Sequence, residues 1–342
     1  MLNSNKKRTG VLLVNLGTPD SYKVSDVRKY LIQFLNDPRV IDISALGRFL
    51  LVNFIIAPFR SPKSAKIYKE VWTDKGSPLL IYGEQLTKKV QNKLGDNYKV
   101  VLGMRYQNPS LESAVNQLWD CGIDKILLFP MFPQYASAST GSVIEEFNRI
   151  IAKKQIFPNI KIVSNFFDHP LFIKAFVELA QGYLQKQSYD HILFSYHGLP
   201  ERQIKKGDCT GTCLVNSDCC STIHSMNYFC YRAQCYETTR LIAKQLNLNP
   251  VDYTTSFQSR LGNDPWIKPY TDFEIKRLVK EGKKRVLVLV PSFVADCLET
   301  IVEVGREYEE IFKDVGGEHW QMVPSLNTSD TWVDMIEDVV KN

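Results

Sequence analysis

Several features are missing from this 342-residue sequence, and each absence removes a class of function. There is no GxGxxG and no GxxxxGK(S/T), so neither the dinucleotide turn nor the phosphate loop is present. A dehydrogenase or a kinase is thereby set aside. Lys6, Lys7 and Arg8 make a short basic start, but no basic tract follows. A net charge of +5 spread over the chain is too diffuse for nucleic-acid binding. No apolar run is long enough to span a bilayer. The most apolar stretch, FLLVNFIIAPF at Phe49–Phe59, contains Asn53 and Pro58. It reads as a buried helix, with an apolar pocket lip or a membrane-surface contact as the alternative. The first apolar run, Gly10–Leu16, ends in a turn and not in a cleavage site, so no secretory signal is expected. Histidine is scarce, with five in all, which makes the setting of each informative.

What is present suits a globular chain long enough for two domains, with 44% hydrophobic and 23% charged residues. Strand signals alternate with helical stretches, the pattern of a parallel α/β sheet. The strands also recur in order. GVLLVNLGTP (Gly10–Pro19) resembles HILFSYHGLP (His191–Pro200). YKVVLGMRY (Tyr98–Tyr106) pairs with VDYTTSFQSR (Val251–Arg260), and KILLFPMFPQ (Lys125–Gln134) with RVLVLVPSFV (Arg285–Val294). Three matches in consistent order predict two Rossmann-like, doubly wound domains related by an approximate internal repeat and facing each other. The expected boundaries are 8–165 and 166–327, followed by a C-terminal helix in 328–342. Asn327, Thr328 and Ser329 offer its caps, and Trp332, Met335, Ile336 and Val339 follow at helical spacing.

Two segments carry most of the chemistry. SYHGLPER, Ser195–Arg202, delivers His197 at the end of one strand, where open α/β sheets place their sites. A histidine there is also commonly a hydrogen-bonded core residue. PSFVADCLETIVE, Pro291–Glu303, follows another strand and should enter a helix. Asp296, Glu299, Glu303 and Glu307 recur at steps of three, four and four. On an α-helix, steps of four drift by about 40°. A π-bulge would bring Glu299, Glu303 and Glu307 closer to one line, and such bulges favour functional sites. The plain alternative is a solvated acidic face. A neutral imidazole opposite carboxylates can hold a divalent metal or move protons beside one.

Two loops and a cysteine cluster complete the list. FPQYASASTGS gathers Ser137, Ser139, Thr140, Gly141 and Ser142 where a helix begins, which suits carboxylate or phosphate binding as well as simple capping. FQSRLGNDPWIKPYTD gathers Arg260, Trp266, Lys268 and Tyr270, which suits a flat anionic ligand or a domain junction. Eight cysteines are present; Cys121 and Cys297 stand alone, and the other six fall between Cys209 and Cys235. Such a cluster in a cytosolic protein suggests a metal more than disulfides.

LLVNLGTPDS, KGSPL, MRYQNPS, FPQYASASTGS, SYHGLPERQIKKGD, FQSRLGNDPW and PSFVADCLET together resemble the ferrochelatase family. The resemblance runs from about Gly10 to Asn327. It implies a cytoplasmic lyase of haem biosynthesis that inserts ferrous iron into a porphyrin, peripheral to the membrane where Phe49–Phe59 meets it. Protoporphyrin IX is the expected porphyrin, from the likeness of DCLET and the chain length to Gram-negative-type members. The alternatives are a coproporphyrin ferrochelatase, a chelatase for another metal and tetrapyrrole, or a non-catalytic haem or iron–sulfur sensor. By position, His197 and Glu299 match the catalytic pair, and Glu303 and Glu307 the inner acidic row that meets the iron. His197 is expected to accept pyrrole protons, since a tightly held iron would resist transfer. Asn15, Arg105, Tyr106, Ser137, Ser139 and Thr140 are the expected substrate contacts. The insert 209–235 looks like one that carries a 2Fe–2S cluster in some microbial members, with Cys213, Cys220, Cys230 and Cys235 as ligands and Cys219 as a substitute. Zinc, with His224 as a further ligand, is the alternative there.

Overall fold

GVLLVNLG has no polar face, as a strand covered on both sides of a parallel sheet requires. It forms most of β1 (Arg8–Gly17), whose residues Val11–Val14 are fully buried. The computed structural model describes all residues except 1–7, 121–122, 216–217 and 263, and not the side chain of Asp120. Lys6, Lys7 and Cys121 therefore lie outside the described residues, as do Asn216 and Ser217 of the insert and Asn263 of the Arg260 loop.

The chain divides into two compact units. The first takes the described residues up to Phe132, with Ala136–Asn165 and Val333–Asn342; the second takes Pro133–Tyr135 and Phe166–Trp332. In the first unit, β2 (Tyr98–Tyr106), β1, β3 (Ile123–Pro130) and β4 (Asn159–Ile162) lie in that order, all parallel. Leu12, Val14, Val101 and Leu128 of the sheet pack on Val115 and Leu118 of the helix Leu111–Asp120 and on Val143, Phe147 and Ile150 of the helix Ser142–Ile151.

The second unit repeats this order with β6 (Tyr253–Gln258), β5 (His191–His197), β7 (Arg285–Leu289) and β8 (His319–Met322), again parallel. Leu193, Val286 and Val288 meet Ile275, Leu278, Val304 and Phe312 in its core. All three strand matches read from the sequence thus occupy equivalent places. So do two glycines. A Cβ on Gly17 would stand 2.0 Å from the Tyr106 carbonyl oxygen, and one on Gly198 would stand 2.6 Å from that of Gln258. Each first strand needs a glycine at its end because the neighbouring strand's backbone comes too close for a side chain. In this order the connections reverse direction between the first and third strands, which puts a switch point at the C-terminal edges of β5 and β7.

The stretch Phe49–Phe59 departs from the buried-helix reading. It winds through the helix Ala45–Leu50, a π-helical turn at Leu51–Ile56 and the start of the helix Ala57–Val71. Val52 and Ala57 face inward, but Phe54 is 63% exposed and Phe59 80%. No described helix is long and apolar enough to cross a membrane. The C-terminal helix spans Asp330–Lys341. Trp332 packs against Phe166 within the second unit, its ring tilted by 32°, and Lys93 pairs with Asp334 and Glu337 within the first.

At the start of β5, His191 is buried with Nε2 2.8 Å from the Thr254 hydroxyl. Burial, and then the charges of Arg277 and Lys283, pull its pKa down to about 4. The unfolded chain would protonate it near 6.5, so the unfolded state binds the extra proton between those values. Stability from the neutral ring is complete above about pH 6.5 and is lost as pH falls toward 4. Urea midpoints should fall across this window by the equivalent of up to about 3 kcal/mol, and His191→Gln should flatten the fall. An unchanged pH profile in that variant would refute the assignment.

Candidate functional site

His197 ends β5, and its ladder with β7 has already stopped at Phe194 and Leu289. The polar groups of its peptide need other partners. Its N–H donates to the Ser292 hydroxyl at 3.2 Å, and its carbonyl accepts from the Tyr231 hydroxyl at 2.8 Å. The next residue, Gly198, turns to the other neighbour and donates to the Gln258 carbonyl at 2.8 Å. Nδ1 of the imidazole lies 2.7 Å from the Gly198 carbonyl. A carbonyl only accepts, so in the neutral ring Nδ1 carries the hydrogen and Nε2 keeps its lone pair. This half-buried ring, with Phe293 alongside, can accept a proton at Nε2 and nowhere else.

The helix expected directly after Pro291 begins later. Residues 291–297 turn, and a π-helix runs over Glu299–Glu307. Asp296 accounts for the delay. Its Oδ1 accepts from the Ser325 N–H and the Thr300 hydroxyl, each at 3.1 Å, and its Oδ2 accepts from Asn327 Nδ2 at 2.7 Å. Asp296 is thereby a buried brace for the turn. Past it, the widened hydrogen bonding, seen where the Tyr308 N–H reaches the Glu303 carbonyl, carries Glu299, Glu303 and Glu307 along the helix at four-residue steps. Trp320 Nε1 caps the Val304 carbonyl from outside at 2.9 Å.

The three carboxylates differ in setting. Glu307 is exposed, while Glu303 and Glu299 are half-buried. Glu303 is held by three donors: the Ser259 hydroxyl at 2.5 Å, Gln258 Nε2 at 3.2 Å and the Tyr308 hydroxyl at 3.0 Å. Gln258 is fixed in turn by the Ser195 hydroxyl at 2.7 Å. Glu299 accepts from the buried Cys297 thiol, whose pKa is raised first by burial and then by the Glu299 charge. The row runs from solvent inward on the segment that leaves β7, next to the strand that ends in His197.

In the first unit the expected contacts fall into two groups. Asn15 is buried, its Oδ1 accepting from the Leu16 N–H at 2.8 Å. Ser137 accepts from Arg39 at 2.9 Å and Ser139 reaches the Ala136 carbonyl at 3.5 Å, within a π-helical turn at Ser137–Gly141 that leads into the helix Ser142–Ile151. This turn follows the third strand of its sheet, as the Glu299 helix does in the second unit. Arg105 and Tyr106 instead converge on Asp37. Its Oδ2 accepts from Arg105 at 2.7 Å, from the Tyr106 hydroxyl at 2.8 Å and from the Ser142 hydroxyl at 2.5 Å. Burial pushes the Asp37 carboxyl up, but the bonds from Ser142, the Arg39 backbone and Tyr106 and the Arg105 charge outweigh it and hold it below its ordinary value. Tyr106 is fully buried; so is Thr140, whose hydroxyl has no hydrogen-bond partner among the described residues. Arg105 and Asp37 line a cavity of about 850 Å³ with Arg28, Lys29 and Gln107.

Thiols gather in the insert. Cys219 and Cys220 lie with their sulfurs 3.7 Å apart. Cys230 receives hydrogen bonds from Cys220 and Cys213. The Cys220 bond first, with help from the Ala233 and Arg232 amides, brings the Cys230 thiol down to about 6; Cys213 is pushed up to about 12, by burial first. Arg232 directs Nη1 at Cys220 at 3.3 Å and at Cys219 at 3.8 Å. Cys235 lies inside the helix Tyr231–Gln245, fully buried, and bonds to Tyr231. Cys219, the expected substitute, lies beside Cys220. Around His224 the observed bond is its backbone N–H to Asn227 at 2.8 Å.

Sequence reasoning passed over Ser259, Gln258 and Tyr308 around Glu303, Ser292 and Tyr231 around His197, and Asp37 beneath Arg105. Ser259 reaches Glu303 from a left-handed conformation, φ 66°, which nothing in FQSRLG announces. The aromatic and cationic residues of that loop pack locally: Arg260 lies 4.4 Å over the Tyr270 ring and pairs with Asp272, and Trp266 bonds to the Leu261 carbonyl.

Comparison with known proteins gives a consistent result. The ferrochelatase family model matches residues 8–342. A ferrochelatase of Legionella pneumophila (strain Lens) is 46% identical over 333 residues, covering 97% of this chain and 98% of its own. One from Coxiella burnetii (strain Dugway 5J108-111) is 44% identical over 337 residues, covering 98% and 94%. Among solved structures, SirB from Bacillus subtilis with Fe3+ aligns with a TM-score of 0.54 at 9% identity, over 98% of this chain and 94% of that one. At that identity the likeness concerns the fold alone.

Proposed function

Since the chain belongs to the ferrochelatase family and is a metal-inserting lyase of porphyrins, we propose that His197 and the carboxylates of the π-helix carry its reaction. The observation that supports this most is the His197 tautomer, with Nδ1 tied to a carbonyl and Nε2 left basic. Insertion of ferrous iron removes two pyrrole protons and two positive charges arrive with the metal, so the porphyrin's charge is unchanged. Nε2 of His197 accepts a pyrrole proton. Glu299 is its acidic partner. Glu307, Glu303 and Glu299 form the route by which the cation enters or the protons leave, since oxygen donors suit a hydrated divalent ion. Glu303 is the fixed point of that route, because three donors hold it in place.

The porphyrin is protoporphyrin IX in this reading. The exposed apolar surface of Phe49, Phe54 and Phe59 suits peripheral contact with a membrane that supplies the less charged of the two candidate porphyrins. Arg105, Ser137 and Ser139 are the candidate propionate contacts, and Asn15 borders the porphyrin.

The insert holds a 2Fe–2S cluster on Cys213, Cys219, Cys220 and Cys230. Two thiolates on one tetrahedral metal, with bonds of about 2.3 Å, stand about 3.7 Å apart; the Cys219 and Cys220 sulfurs match that spacing. Four thiolates meet the ligand count of such a cluster, and zinc on the same thiols is the alternative. Bound there, the cluster would supply a one-electron redox centre and a cross-link of the insert, with the Arg232 guanidinium beside its sulfurs.

Three measurements test this reading. His197→Ala and Glu299→Gln should each lower ferrous insertion by about a hundredfold or more while porphyrin fluorescence quenching shows binding retained. Near-normal turnover in either variant would sink the assignment. Protoporphyrin should outperform coproporphyrin, and cobalt should not replace iron as the preferred metal. Anaerobically purified protein should show thiolate-to-iron bands that disappear in Cys219→Ser and persist in Cys235→Ser. Stoichiometric zinc without those bands would reject the cluster.

A further inference from the structure

The end of β2 leaves one buried acceptor without a donor. Gln107 follows Tyr106 in the left-handed region, φ 65°, and is only 7% exposed. Its backbone N–H at 2.9 Å and its side-chain Nε2 at 2.5 Å both donate to Oε1 of Gln33, on the helix Val24–Leu35. A peptide N–H only donates, so the Gln33 atom it meets is the oxygen. The end of the Gln107 amide that meets the same atom is then the NH2 group. Gln107 Oε1 consequently faces away from Gln33, and it has no partner among the described residues. Both glutamines line the cavity of about 850 Å³ beneath Arg105. The cavity runs along Arg28, Lys29 and Ile32, on the side of the helix away from its buried Val27, Tyr30 and Leu31. Its acids are already engaged. Asp37 accepts from Arg105, Tyr106, Ser142 and the Arg39 N–H, and Glu146 accepts from Arg149 through both oxygens. Its cations are not. Arg28 has no hydrogen bond or ion pair among the described residues, and Lys29 reaches Asp20 only at 3.7 Å. Arg105 bonds to Ser142 through Nε and to Asp37 through Nη2, which leaves Nη1 over. Its side chain is 14% exposed, where water screens the charge less than at the surface.

We propose that this cavity is a binding site for a small anion of two or more negative charges that carries its own hydroxyl group, a hydroxy acid or a sugar phosphate. The anionic oxygens take Arg28, Lys29 and Nη1 of Arg105, and the hydroxyl donates to Gln107 Oε1. An anion without a hydroxyl would desolvate that oxygen and leave it unpaired, which works against binding. The volume suits a small molecule, and Ile32 gives its carbon skeleton an apolar wall. The site lies wholly in the first unit, whereas His197 and the three carboxylates lie in the second, so the proposal stands whichever of those residues move protons or iron.

Equilibrium dialysis of the full chain against radiolabelled citrate, with no metal added, tests the site. Citrate should bind. Tricarballylate, the same tricarboxylate without the hydroxyl, should compete about two- to tenfold less well, the worth of one hydrogen bond. Arg28→Ala should weaken citrate about tenfold, the loss of one charged donor. Gln107→Leu keeps the backbone bond to Gln33 and should bring citrate and tricarballylate to equal affinity. Glycerophosphate as a competitor separates the two sources. If it competes better than unlabelled citrate, the occupant is a phosphate ester; if it competes less well, the occupant is a hydroxy acid, and either order upholds the site. No binding of citrate or glycerophosphate would overturn the proposal. So would equal affinity for citrate and tricarballylate in the parent chain, or citrate binding left intact in Arg28→Ala. Displacement of citrate by protoporphyrin would overturn it as well, because the anion would then occupy the substrate's own carboxylate contacts at Arg105. Should Gln107→Leu fail to fold, the comparison of citrate with tricarballylate in the parent chain decides the role of the hydroxyl.

Discussion

The end of the β5–β7 ladder is the constraint on which the site depends. Had β7 continued alongside, the peptide of His197 would be one more rung in a sheet. Because it stops, the His197 N–H goes to Ser292 and the carbonyl to Tyr231. The chain must still turn within one residue, which only Gly198 permits against the Gln258 carbonyl. That turn returns a carbonyl to Nδ1 and so settles which nitrogen of the ring is basic. Strand pairing, backbone crowding and tautomer form one causal line.

Gln258 also ties this strand end to the carboxylates. Its carbonyl meets Gly198, its side-chain oxygen accepts from Ser195 and its amide donates to Glu303. The position and hydrogen bonding of the histidine and of the middle carboxylate thus depend on one buried residue of β6. A π-helix is a costly and uncommon way to leave a strand, and here it follows the third strand of both sheets, at Ser137–Gly141 and at Glu299–Glu307. The repeat has kept the backbone device while the side chains diverged into hydroxyls in one unit and carboxylates in the other.

Much of the fold was legible because parallel strands advertise themselves. The runs VLLV, HILF and VLVL leave no doubt about burial, and their fixed order exposed the repeat. The widened helix was legible from the four-residue steps of Glu299, Glu303 and Glu307. Phe49–Phe59 misled because composition reports how apolar a segment is and not which way it faces; Phe54 and Phe59 point outward. Spacing likewise does not show that Cys235 is fully buried within the helix that Cys230 caps. Side chains that meet through the third dimension, such as Asp37 with Arg105 or Ser259 with Glu303, left no trace in the sequence at all.

The central claim is that the π-helix carries a divalent cation toward the strand edge where His197 waits with a basic nitrogen. Crystals soaked in cobalt(II) and measured at the cobalt absorption edge test it most directly. The account predicts anomalous density beside Glu299 and at one or both of Glu303 and Glu307. Cobalt bound only elsewhere, with all three carboxylates bare, would contradict it.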